Sequence, residues 1–382
     1  MTCRALKAQH RIGLLVGMVL ALQVTLGSTA QGQVGFLEDR ERVGIDLRQS
    51  FRSWTIDDEV TGESVEIRQF AARARATVDV VKNVDLTVYT AGGYSQDRRD
   101  VINEIAGLTD AKLKAYGYFW DDQLVASMGV NIPTGITALT DEEVTAVQAV
   151  SPNILGFTMK NYGGGTDLDL GLAVGRDLGR GWAVGGGASI LVQGSYDLDS
   201  RSEYDPGAEI AVTAGADWRA RGVLVSLDCL YRMFGDDQLD DAGSFADGNQ
   251  FETTLRGAWQ ATSWGVAGNL RHVLKQDSEF DWARPASENR VENGHNIWMT
   301  LNPYYRLHDA VDLKGILEYA TVEQSQQQAT GAWALGFGGG LDVRLTPRAI
   351  VAVQAVRLTG SNDDGTLDLS GFGGMLTVRW QY

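Results

Sequence analysis

The sequence predicts an all-β fold: a closed, antiparallel, up-and-down transmembrane β-barrel of about sixteen strands, with fourteen as the alternative. Three observations lead there. Segment after segment alternates apolar and polar residues over 10 to 14 positions. Short and long links between these segments alternate without exception. Tryptophans gather where segments meet the short links.

The chain has 382 residues, 46 glycines, 6 prolines and a formal net charge of −16. So little proline excludes collagen-like and Pro-rich disordered chains. The negative charge argues against nucleic acid as a partner. At the N-terminus Arg4, Lys7 and Arg11 precede an apolar run, Ile12 to Leu22, and small residues follow at Ser28 to Ala30. That order is the pattern of a secretory signal peptide, and the run is too short for a spanning helix. Residues 1–30 are therefore expected to be a signal peptide, 31–42 a short periplasmic segment, and 43–382 the barrel. Beyond residue 30 one cysteine remains, Cys229, so no internal disulfide is expected.

The strands follow in order. DLDLGLAV at 167–174 sets Leu168, Leu170, Leu172 and Val174 against Asp167, Asp169, Gly171 and Ala173. VLVSLDCLYRM at 223–233 and the segment 208–219 read the same way. A period of two means strands whose faces meet different surroundings. Their length exceeds the 5–6 residues usual in soluble sheets and matches a membrane-crossing strand. Short links fall at 82–83, 121–122, 178–181, 220–222, 261–263, 308–310 and 346–348; long ones at 55–64, 96–109, 133–165, 197–207, 235–249, 275–294, 322–330 and 360–365. Seven short and eight long links join sixteen strands and leave both ends on the short-link side. Trp120, Trp182, Trp218, Trp259, Trp264 and Trp380 stand at that boundary, as an aromatic girdle requires. In lipid every backbone polar group needs a partner, so such a sheet must close.

The last strand, LTVRWQY, puts Leu376, Val378, Trp380 and Tyr382 on one face. It resembles the C-terminal strand of bacterial outer-membrane β-barrel proteins. The resemblance implies a place in the outer membrane among its lipids, and Val378, Trp380 and Tyr382 as a signal read by the barrel-assembly machinery. Tyr stands where that family more often has Phe.

The link 133–165 is the third long one. Thr140 and Glu143 form an S/T-x-x-E capping box before Asp141 to Val150, which Pro152 ends. In general porins, which this arrangement resembles, the third loop folds into the lumen. The link is expected either to constrict the lumen or to cap the outside. The segments GVNIPTG and GGGTDLDLGLAVGRDLGRGWAVGGG loosely resemble strands of fatty-acid and aromatic-hydrocarbon uptake barrels.

Charged residues on the lumen face include Arg73, Arg75, Lys112, Lys114, Asp167, Asp169, Arg232 and Arg306. Arg73 and Arg75 with Lys112 and Lys114 form a local basic cluster, a place to look for anion preference. The outer links are acidic, notably 55–64 and 235–249, and are read as solvated loops, or else as sharing divalent cations with lipid headgroups. No cofactor or metal motif is present, and no enzyme is expected. The histidines His272, His295 and His308 lack a motif, although Glu292, His295 and Ser287 make a triad on paper. Three functions stay open: a porin-like channel for small solutes, a transporter for hydrophobic molecules, or a structural barrel with a closed lumen. A homotrimer is one expected assembly.

Overall fold

The computed structural model describes residues 43–99, 101–136, 138–197, 203–239, 243–281, 290–291, 294–323 and 331–381. The expected signal peptide, the segment 31–42, Ser287, Glu292 and Tyr382 lie outside them.

Sixteen strands form one ring. They are β1 Val43–Asp58, β2 Ser64–Val81, β3 Val84–Arg98, β4 (Ile102–Leu108 and Ala111–Phe119), β5 Leu124–Ile132, β6 Asp167–Gly179, β7 Trp182–Gln193 and β8 Glu209–Ala220. Then come β9 Val223–Phe234, β10 Gln250–Gln260, β11 Trp264–Lys275, β12 His295–His308, β13 Val311–Val322, β14 Ala332–Thr346, β15 Ala349–Asn362 and β16 Leu367–Gln381. Each pairs antiparallel with the next. β16 closes on β1 over fifteen residue pairs, from Gly44↔Gln381 to Asp58↔Leu367. Closure leaves no edge strand, which is what a lipid environment demands of a sheet.

Both parts of β4 pair with β3, Leu108 opposite Gly92 and Lys112 opposite Tyr89. The pairing therefore slips by one residue at Thr109–Asp110. This is a β-bulge, and bulges re-aim side chains.

The short links are tight. Arg180–Gly181 and Arg221–Gly222 carry φ of 57° and 83°, and of 47° and 80°. Positive φ at both centres is the two-residue hairpin turn whose twist matches the strands. A Cβ at Gly181 would lie 2.0 Å from the Arg219 carbonyl oxygen, so only glycine fits there.

Several long links are shorter or more ordered than expected. β1 runs on to Asp58 and β2 begins at Ser64, while β3 and β4 are separated only by residues 99–101. The links 197–207, 235–249 and 275–294 are not plain solvated loops. They contribute Tyr196–Asp197, Glu203–Asp205, Asp236–Leu239, Gly243–Ala246, Ser278–Asp281 and Arg290–Val291 to a second, six-stranded sheet. Tyr196 and Tyr204 pack edge to face at 5.5 Å, and Asp237 accepts hydrogen bonds from the Tyr204 hydroxyl and the Gly207 N–H. Rings on one face and carboxylates engaged by donors give these links a reason to pair as strands.

The two faces of each strand differ as the period of two requires. On β6, Leu168, Leu170, Leu172 and Val174 are exposed on the outside. On β1, Phe51 is 38% exposed outside, whereas Trp54 is 1% exposed inside.

Candidate functional site

The segment 133–165 leaves β5 and returns to β6 along the inner wall. It is tied at its root by the bulge in β4. The Asp110 carboxylate accepts from the Gly135 N–H through one oxygen, at 2.8 Å, and from the Gly164 N–H through the other, at 2.7 Å. One side chain thus holds both ends of the segment. Beside it the Thr134 hydroxyl donates to the Thr109 carbonyl and accepts from the Ala111 N–H.

Between these ends lies helix α1, Asp141–Val150. Thr140 accepts from the Glu143 N–H and the Glu143 carboxylate accepts from the Thr140 N–H. The three acids of its first turn, Asp141, Glu142 and Glu143, suit the positive end of the helix dipole. A short turn Asn153–Leu155 follows, and Gly156 closes it with φ of 60°.

Inward side chains then pin the segment 155–162. The Trp54 indole donates to the Leu155 carbonyl at 2.8 Å, and Arg52 donates to the same oxygen at 3.2 Å. Gln69 uses its whole amide: its oxygen accepts from the Thr158 and Met159 N–H groups, and its nitrogen donates to the Met159 carbonyl. Arg73 donates to the Thr158 carbonyl, and Ser95 bonds the Tyr162 hydroxyl at 2.7 Å. Burial pushes the Tyr162 phenol up to about 12, so it stays protonated. Apolar packing completes the anchorage. Val150, Ile154, Leu155 and Phe157 meet Trp54, Ile67, Ile316, Ala334, Val356, Leu358 and Leu369. One segment touching β1, β2 and β13 to β16 together must lie on the concave side of the sheet. It lies inside the barrel, against one half of the wall.

Part of the other half is bare. Facing inward on β6, β7 and β8 are three rows: Gly171, Ser189 and Ala211; Ala173, Gly187 and Thr213; Gly175, Gly185 and Gly215. Nothing there is bulkier than threonine. A cavity of about 210 Å³ lies along this wall, bounded also by Tyr116, Val125, Ser127 and Leu230.

Many lumen charges are paired between strands. Lys112 and Lys114 both reach Asp169, at 3.2 and 2.8 Å, so one carboxylate is shared by two of the four cations in the basic cluster expected from the sequence. Arg232 pairs with Glu209 at 3.7 Å, Arg306 with Asp312 at 3.3 Å and Arg271 with Glu252 at 2.7 Å. Asp167 accepts from the Asn131 amide. Arg73 lies under the loop. Arg75 stacks on the Tyr89 ring at 5.1 Å, with no bond made by its Nε and Nη1. On the loop, Lys160 donates to Asn153, and burial lowers its pKa, with the Arg271 charge adding to the effect. Asp110, Gln69 and Trp54 were not singled out by the sequence, and Arg52 and Glu318 were read only as members of the lumen-facing charged set.

Outside, the exposed apolar belt ends in rings. Trp120, Trp182 and Trp264 are exposed, Trp182 faces Trp218 at 6.3 Å, and Trp259 meets Trp264 at 4.4 Å, all beside short turns. Val378 and Trp380 share the outward face of β16. A closed barrel with an apolar outside, a charged inside and an aromatic rim is built for a bilayer. The chain is an outer-membrane β-barrel.

No protein-family model matches the sequence, and neither does any curated protein. Solved structures do. An anion-selective porin from Comamonas acidovorans is 10% identical, with 90% of this chain and 100% of that one covered and a TM-score of 0.42. OprB from Pseudomonas putida is 11% identical over 89% and 94%, with a TM-score of 0.47. The toluene transporter TbuX of Ralstonia pickettii is 10% identical over 94% and 96%, with a TM-score of 0.43. With identities this low, function is read from the residues of the chain itself.

Proposed function

We propose that the protein is a porin-like channel of the outer membrane, carrying small polar solutes between the segment 133–165 and the bare wall of β6 to β8. One observation carries this reading. The loop covers half of the inner wall, and on β6 to β8, across the lumen, three successive rows carry nothing bulkier than threonine. Eight-stranded barrels are filled by their own side chains, whereas sixteen strands enclose room for water. Here the filling is one-sided.

The loop acts as a fixed constriction. Its hydrogen bonds come from β1 to β4 on one side of the β16–β1 closure, and its apolar cluster packs on β13 to β16 on the other. The paired charges lining the remaining path keep it wet, which favours polar over hydrophobic cargo.

Planar-bilayer conductance of the refolded barrel tests the reading. Stable open channels that close down when Ser189→Trp is introduced on the bare wall are expected. A folded barrel without conductance would place the protein among closed barrels instead.

A further inference from the structure

We propose that Arg48, Arg73 and Lys160 form an anion-binding station at the constriction, so that the channel prefers small inorganic and carboxylate anions although the whole chain carries a charge of −16. The proposal rests on the channel reading above and names its solute class.

The inner faces of β1 and β2 form a ladder of charge with a gap in it. Above the gap, Arg52 is compensated by Glu318 at 3.1 Å. Below it, Asp46 is compensated by Arg379 at 3.5 Å. Between them Arg48 stands directly opposite Arg73. Like charges facing each other on neighbouring strands are unfavourable. Among the described residues neither has a carboxylate within ion-pair reach. Arg73 gives one N–H to the Thr158 carbonyl, and that carbonyl carries no charge to offset it.

Lys160 lies two residues along the loop from that carbonyl. Among the described residues its hydrogen-bond partner is the neutral Asn153 amide. The charge that acts on it is another cation, Arg271, which is itself held by Glu252 at 2.7 Å. Among the described residues, two guanidiniums and an ammonium therefore border the loop-covered level of the lumen without a counter-ion. Arginine forks of this kind bind carboxylate and phosphate oxygens through paired N–H groups. The lumen acids named here are engaged by other groups: Asp110 by the loop N–H groups, Asp167 by Asn131, Asp169 by two lysines and Glu252 by Arg271. Selectivity is set where the path is narrowest, so these few cations outweigh the acidic exterior.

The test is the zero-current potential of the refolded, signal-free barrel in a KCl gradient, together with ³¹P line broadening of inorganic phosphate by the same protein in detergent. The wild type is expected to pass chloride several-fold better than potassium and to broaden phosphate. In Arg48→Gln/Arg73→Gln the permeability ratio should fall several-fold and the broadening should vanish. Arg48→Lys/Arg73→Lys should keep most of both, and Lys112→Gln, whose partner Asp169 retains Lys114, should change little. A conducting wild type that prefers potassium, or a ratio and broadening that ignore the double Gln variant, would overturn the station while leaving the channel standing. A barrel that does not conduct but loses phosphate broadening on the double substitution would support the station and remove the channel.

Discussion

Arg52 on β1 and Glu318 on β13 meet at 3.1 Å across three intervening strands. The bridge runs over β16, β15 and β14, where the register places Gly373 opposite Arg52 and Gly336 opposite Glu318. Both positions must be empty. A Cβ on Gly336 would lie 3.2 Å from the Glu318 Cβ and 2.9 Å from Leu358, and one on Gly373 would lie 2.9 Å from Val356. Arg52 also holds the Leu155 carbonyl, so the bridge ties the wall to the loop.

Loss of the carboxylate in Glu318→Ala should cost about 1 kcal/mol, because both side chains are partly solvated. Trp54→Ala should cost far more, about 3–5 kcal/mol, since it empties a site 1% exposed and releases the Leu155 carbonyl. Thermal unfolding in detergent separates the two. Equal losses would mean that the loop is not packed on Trp54.

Gly371 lies under the indole. A Cβ there would approach the Trp54 ring to 2.9 Å and the Ser53 carbonyl to 2.5 Å. Gly371→Ala should lower the melting temperature although alanine is the better residue for an ordinary strand. A melting temperature at or above the wild-type value contradicts the packing described.

The two-ended grip of Asp110 predicts a local phenotype. In Asp110→Ala two loop N–H groups lose a charged acceptor, each bond contributing about 1.5–3 kcal/mol. Segment 133–165 should become protease-sensitive and the open-channel current noisier, with the strands still intact by circular dichroism. Protection equal to wild type would show that Gln69, Arg52 and Trp54 hold the loop unaided.

Lys160 gives a pH dependence. Burial favours its neutral amine, so in the folded barrel the proton leaves below the ordinary 10.5. The unfolded chain then binds more protons between the folded value and 10.5, and this group's contribution makes stability rise with pH across that window. Chloride preference should fall across the same window, as the ammonium is lost. Lys160→Arg, which stays charged, should hold the preference flat. A decline unchanged in Lys160→Arg would assign the titration elsewhere.

The barrel was legible in the sequence because lipid and water impose opposite demands on alternate residues, and because short and long links are sorted by side. Leu168 to Val174 show the first, and Arg180–Gly181 shows the second. The site was less legible. Parity placed Arg73, Arg75, Lys112 and Lys114 in the lumen, yet could not tell that Asp169 takes both lysines and leaves the arginines. Such pairing depends on register between strands, and register is not written in either strand alone. The bulge at Thr109–Asp110 was hidden for the same reason: it appears only when β3 is laid beside β4. The second sheet was missed because its strands are short, polar and interrupted by acids, and so read as loop.

Single-channel conductance of the refolded barrel and its Ser189→Trp variant tests the open lumen most directly. Stable conductance is expected for the wild type and a marked drop when the bare wall opposite the loop is filled, with the melting temperature preserved. Conductance that ignores the tryptophan, or a folded wild-type barrel that passes no ions, would contradict it.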